Sequence, residues 1–141
     1  MNKKILVVED EEGHEFFMAQ SLEDVGEVIR ADAVDDVKET VIAPDSVACV
    51  VLDLQIFAHK AGLRGPGQPF EEEAVNVENG FDALNYLVHT VRFPEAHLLV
   101  ASSFANSYSD RLKILVNPVR VFSKPFSSKR LKERIRNILI G

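Results

Sequence analysis

Two apolar runs in this chain end in carboxylates. Ile5-Leu6-Val7-Val8 runs into Glu9-Asp10, and Ala48-Cys49-Val50-Val51-Leu52 runs into Asp53. Continuous short runs of this kind read as strands buried on both faces. If such strands are parallel, their acidic ends gather at one edge of a sheet, the edge where open α/β sheets place their ligand sites. Clustered carboxylates repel one another unless a cation neutralises them, and an all-oxygen set favours a hard ion such as Mg2+ over Zn2+.

The rest of the chain repeats the alternation. Strands are predicted over 4–9, 27–30, 47–53, 97–102 and 119–123. Helical spacing is predicted over 13–25, 34–42, 81–91, 106–115 and 127–139, with Leu131, Ile135, Ile138 and Leu139 on the apolar side of the last helix. Strands alternating with helices imply right-handed crossovers, with helices on both faces of the sheet. The expected architecture is α/β, a doubly wound parallel five-stranded sheet formed by a single domain over residues 1–141. Residues 58–79 interrupt the pattern. They carry Gly62, Gly65, Pro66, Gly67 and Pro69 and then Glu71-Glu72-Glu73, and they read as an inserted loop.

Composition narrows the function classes. Residues 1–80 hold 18 Asp/Glu against 6 Lys/Arg, whereas 81–141 hold 4 against 10. The basic cluster Lys129, Arg130, Lys132, Arg134 and Arg136 fits a solvated helix face better than a nucleic-acid site. Cys49 is the sole cysteine and lies in a buried-looking strand, so packing explains it. His14, His59, His89 and His97 lack metal-ligand spacing. The apolar run after Lys3-Lys4 is too short for a signal peptide, and no run reaches the ~20 residues of a membrane span, so a cytoplasmic location is expected.

Four positions share the strand ends: Glu9-Asp10, Asp53, Ser102-Ser103 and Lys124-Pro125-Phe126. In this order the chain resembles the receiver domain of bacterial two-component response regulators, over nearly its whole length apart from 58–79, and the resemblance implies a flavodoxin-like sheet of order 2-1-3-4-5. The resemblance implies a phosphoacceptor signalling domain in a phosphorelay rather than an enzyme on external substrates. It implies Asp53 as phosphoacceptor. Glu9, Asp10, Asp53 and the backbone carbonyl of Gln55 would be the Mg2+ ligands. Lys124 would contact the phosphoryl group, and Ser102 would be the hydroxyl that moves to it, with Ser103 as the register alternative. Implied partners are a histidine kinase or phosphotransfer protein upstream and an unknown protein downstream. A homodimer is compatible with this, and neither membrane nor direct DNA binding is expected, since the sequence stops just after the last helix.

The chain also departs from that pattern. Leu54-Gln55-Ile56-Phe57 lacks the Met-Pro that commonly follows the acceptor, and the Gly that begins the next helix comes only at Gly80. Glu9 stands where Asp is commoner. The switch position three before Lys124 is Val121, not an aromatic. These departures keep a second reading open: a phosphorylation-independent pseudo-receiver that only binds partners. A phosphatase with an aspartyl nucleophile fits less well, because Gln55 occupies the place of its second Asp.

Overall fold

The computed structural model describes residues 3–9, 22–60, 75–123 and 128–140. Its strands are β1 Lys4–Val8, β2 Glu27–Ala31, β3 Cys49–Leu52, β4 Ile56–Phe57, β5 Val75–Asn76, β6 Leu98–Ser102 and β7 Val121–Ser123. Its α-helices are α1 Val34–Thr40, α2 Val77–Asn85, α3 Ser109–Leu115 and α4 Ser128–Ile140. Five strands form one sheet in the order β2-β1-β3-β6-β7, with every neighbouring pair parallel. Ranked along the chain, that is the expected 2-1-3-4-5.

Alternation along the strands explains why helices must cover both faces. Leu6, Val8, Val50, Leu52, Leu98 and Val100 pack with Val34 and Val37 of α1, Phe81 and Leu84 of α2, and Leu112 of α3. The intervening Ile5, Val7, Cys49, Val51, Leu99 and Ala101 pack with Leu22 and with Leu131, Ile135 and Leu139 of α4. A sheet lined this way has no polar face to present to water. Among the described residues, no helix is long and apolar enough to cross a membrane.

Several boundaries differ from the sequence reading. The 58–79 loop is too wide at its C-terminal end. Val75–Asn76 is a strand paired antiparallel to Ile56–Phe57, and helix begins at Val77, where the Asn76 side chain accepts the Asn79 amide at 3.0 Å. That N-cap starts the helix before Gly80. The helix continues as a π-helix over Tyr86–Val91 and stops at Arg92, which takes the left-handed conformation with φ 58°. Helix α3 starts later than 106. Residues 103–108 form turns in which the Ser102 hydroxyl accepts the Phe104 amide at 3.1 Å. Side chains of this kind compete with helical bonding. Strand β7 starts at Val121, because Asn117 caps a 3-10 turn over Pro118–Arg120. The 13–25 helix lies largely outside the described residues, and Val25 and Gly26 close on the Leu22 carbonyl at 2.9 and 3.3 Å.

The described ends of the 58–79 segment are tied down. The Phe57 amide donates to the Asp32 carbonyl at 2.8 Å, and Asp35 N to the Ala58 carbonyl at 3.3 Å. His59 Nδ1 lies 3.2 Å from Asp35 Oδ2, and Lys60 Nζ donates to Glu39 Oε1 at 2.7 Å. On the return side, Asn79 Nδ2 donates to the Ile56 carbonyl at 3.0 Å. Both limbs therefore rest on α1 and α2 beside the carboxyl edge of β3.

Candidate functional site at the carboxyl edge of the sheet

β3 is the central strand of the sheet, and its last residue, Leu52, is in register with Val8 of β1 and Val100 of β6. Asp53 is the next residue, and its amide extends the ladder by donating to the Val8 carbonyl at 2.8 Å. Glu9 follows Val8 and is held likewise, its amide donating to the Ala31 carbonyl at 3.0 Å. Parallel register thus brings Glu9 and Asp53 to neighbouring strand ends. Both are buried, at 1% and 6% exposure.

Burying carboxylates costs free energy unless partners compensate for the lost water. Part of that compensation is backbone: the Gln55 amide donates to Asp53 Oδ1 at 3.2 Å. This contact fixes one carboxylate oxygen and directs the chain out of the strand. A close approach from α2 shapes the same turn. A Cβ on Gly80 would lie 2.1 Å from the Leu54 carbonyl oxygen and 2.3 Å from the Leu54 Cα, so only glycine lets α2 rest on this backbone. Gly80 therefore sets the position of the peptide between Asp53 and Gln55. The sequence marked it as a helix start, and its packing against Leu54 was not legible there.

Ser102 ends β6, is fully buried and is in register with Ser123 of β7. Its hydroxyl oxygen accepts the Phe104 amide at 3.1 Å, leaving its own proton free to be donated elsewhere. Ser103 is exposed. Asp10 and Lys124 lie outside the described residues. Val121 is half-buried, and the neighbouring Phe122 is buried with the Arg134 guanidinium 5.9 Å from its ring centroid.

Two buried carboxylates at adjacent strand ends are an oxygen donor set that suits a hard divalent cation. Among the described residues, no cluster of three or more acidic, His or Cys side chains forms. Glu9 and Asp53 therefore supply only part of a metal's shell. The concave groove lined by Lys4, Ser46, His97 and Leu139 lies at the opposite, amino edge of the strands, so it does not belong to this site.

No protein-family model matches the chain, and no curated protein matches it in sequence. Solved structures do match it. The beryllofluoride-activated DrrB receiver domain superposes with a TM-score of 0.68 at 20% identity, over 100% of both chains. The non-phosphorylated HemR receiver domain from Leptospira biflexa gives 0.65 at 23% identity, over 97% of this chain and 94% of that one. A response regulator receiver domain protein from Clostridium thermocellum gives 0.66 at 18% identity, over 98% of this chain and 94% of that one. With a sheet of the same order and helices on both faces, the chain has the fold of the response-regulator receiver domains.

Proposed function

We propose that the chain is a phosphoacceptor signalling domain in a two-component phosphorelay, with Asp53 as the acceptor. The observation that carries this reading is the placement of Asp53. It is buried at the end of the central strand, one of its oxygens is held by the Gln55 amide, Glu9 lies on one neighbouring strand and Ser102 on the other. Phosphoryl transfer asks little covalent chemistry of the protein and much positioning. With Oδ1 engaged by the Gln55 amide, Oδ2 attacks phosphorus. The bond from phosphorus to the donor's nitrogen or acyl oxygen breaks, and the donor leaves with the electron pair. Lys124 serves as a point charge for the phosphoryl oxygens, and Ser102 donates its hydroxyl proton to one of them. Glu9, Asp10, Asp53 and the Gln55 carbonyl would hold a Mg2+ ion, which would neutralise charge on the transferring group. A histidine kinase or phosphotransfer protein is the proposed donor, and an unidentified protein reads the phosphorylated form.

The fold likeness to receiver domains favours signalling over catalysis on external substrates. One feature favours the second reading, a pseudo-receiver that binds partners without phosphate: the aliphatic Val121 at the switch position of β7. Intact-mass measurement after incubation with acetyl phosphate separates the two. A phosphate adduct that requires Mg2+ and vanishes with a chelator supports the phosphoacceptor. An unmodified chain under both conditions supports the pseudo-receiver.

A further inference from the structure

Helix α3 is only seven residues long, and Leu112 is its one fully buried side chain. Ile114 on the same helix is 80% exposed. The core holds α3 through Leu112 and Leu115 and the 103–108 turns through Ala105, and a polar, stacked contact with α2 adds to that hold. Two side chains of α2, Glu78 and Phe81, supply it. Both terminal nitrogens of Arg111 donate to the Glu78 carboxylate, at 2.6 and 2.8 Å. The same guanidinium lies 3.8 Å from the ring centroid of the buried Phe81. Tyr108 meets that ring edge-on, with centroids 5.8 Å apart at 62°. A planar fork that is both bidentate and stacked is a geometry only Arg supplies. The pairing holds the Glu78 carboxyl below its ordinary range and the Arg111 guanidinium above its own.

Ser102 is linked to this clamp through the backbone of the turn. Its hydroxyl accepts the Phe104 amide, the Phe104 carbonyl accepts the Tyr108 amide at 3.2 Å, and the Tyr108 carbonyl accepts the Leu112 amide at 2.9 Å. We infer that Arg111, gripped by Glu78 and Phe81, is a positioning residue for Ser102: the clamp holds the 103–108 turns with the Ser102 hydroxyl against the Phe104 amide, and its release frees Ser102 to move to a phosphoryl group on Asp53. This rests on the phosphoacceptor reading above. It gives the domain a switch that needs no aromatic side chain at Val121. Glu78 lies in the first turn of α2, two residues after β5, so the return limb of the 58–79 segment leads straight into the clamp.

The test uses the full chain carrying Glu78→Gln, Arg111→Gln, both together, and the reversed pair Glu78→Arg with Arg111→Glu. Two quantities are read: the rate of phosphate incorporation from acetyl phosphate with Mg2+, and hydrogen exchange at the amides of Phe104, Ala105 and Tyr108. Each single variant should incorporate phosphate about two- to fivefold faster, the range that an exposed ion pair with a cation–π contact supplies. The double variant should match either single one, because the pair acts as a unit, and the reversed pair should return towards wild type. Exchange at the three turn amides should quicken while Val50 and Leu99 stay protected. Unchanged incorporation in variants of a wild type that is itself phosphorylated overturns the clamp and leaves the acceptor reading intact. A wild type that takes up no phosphate overturns the acceptor reading. Exchange then decides the clamp alone: faster turn amides uphold its hold on the loop, and unchanged ones overturn it.

Discussion

Replacing Gly80 with alanine sets two physical effects of opposite sign against each other. Gly80 is buried in the interior of α2, where alanine is favoured over glycine by about 1 kcal/mol on helix propensity alone. The structure predicts the opposite outcome. The new Cβ would meet three backbone atoms of Leu54 at 2.1, 2.3 and 2.5 Å. Ordinary contacts lie near 3.5 Å, so α2 or the Leu54 turn must retreat by about 1 Å. Backbone cannot rotate aside as a side chain can. Overpacking of this kind costs about 3 kcal/mol, at the upper end of its usual range. The net loss is then about 2 kcal/mol, or a melting temperature lower by about 4–8 °C for a chain of this size. The turn that retreats contains the Gln55 amide that holds Asp53, so phosphate incorporation should slow as well. Calorimetry together with labelling kinetics on Gly80→Ala reads both effects. A melting temperature equal to or above wild type would refute the packing argument, since propensity would then have prevailed.

The other expectations concern the site and the core. Saturating Mg2+ should stabilise the fold, by about 2.7 kcal/mol at a hundred times its Kd, and Asp10→Ala should remove most of that gain; a wild-type melting temperature indifferent to Mg2+ would count against the cation site. Phe104, half-buried beside Ser102, offers no hydrogen bond to an attacking water, so Phe104→Glu should shorten the life of the phosphorylated form as measured by its decay; an equal lifetime would move the shield elsewhere. Burial pushes the Cys49 thiol up from 9.0 to about 12. It should therefore resist a maleimide at pH 8 until the chain unfolds, and immediate labelling would contradict its burial. The sign for stability follows: the contribution of the neutral thiol is complete below the unfolded value near 9 and is lost as pH rises towards about 12.

The sheet was legible because each of its central strands is apolar on both faces, a pattern that needs no knowledge of partners. The parallel sheet with helices on both faces followed from the alternation of elements, its strand order came with the resemblance to receiver domains, and the placement of Glu9, Asp53 and Ser102 at strand ends followed from the apolar runs before them. What was not legible depends on contacts distant in sequence. β4 and β5 are two residues each and exist because Phe57 bonds to Asp32 and Asn79 to Ile56. No local periodicity can announce so short a pair. The start of α2 was missed because its cap, Asn76, sits in a polar stretch that reads as loop. Arg111 and Glu78 are 33 positions apart on different helices, and each alone looks like an ordinary surface charge. Gly80 carried a visible signal, a glycine heading an apolar helix, but its reason was the Leu54 backbone beneath it.

The central claim is that Asp53 carries the phosphoryl group. An acyl phosphate on aspartate is reduced by borohydride to an alcohol, which converts the residue to homoserine. Wild-type protein treated with Mg2+ and acetyl phosphate, then reduced and digested, should show homoserine at position 53 by peptide mass, and Asp53→Asn should show none anywhere. Homoserine at another carboxylate, or an unmodified position 53 in wild type, would contradict the account.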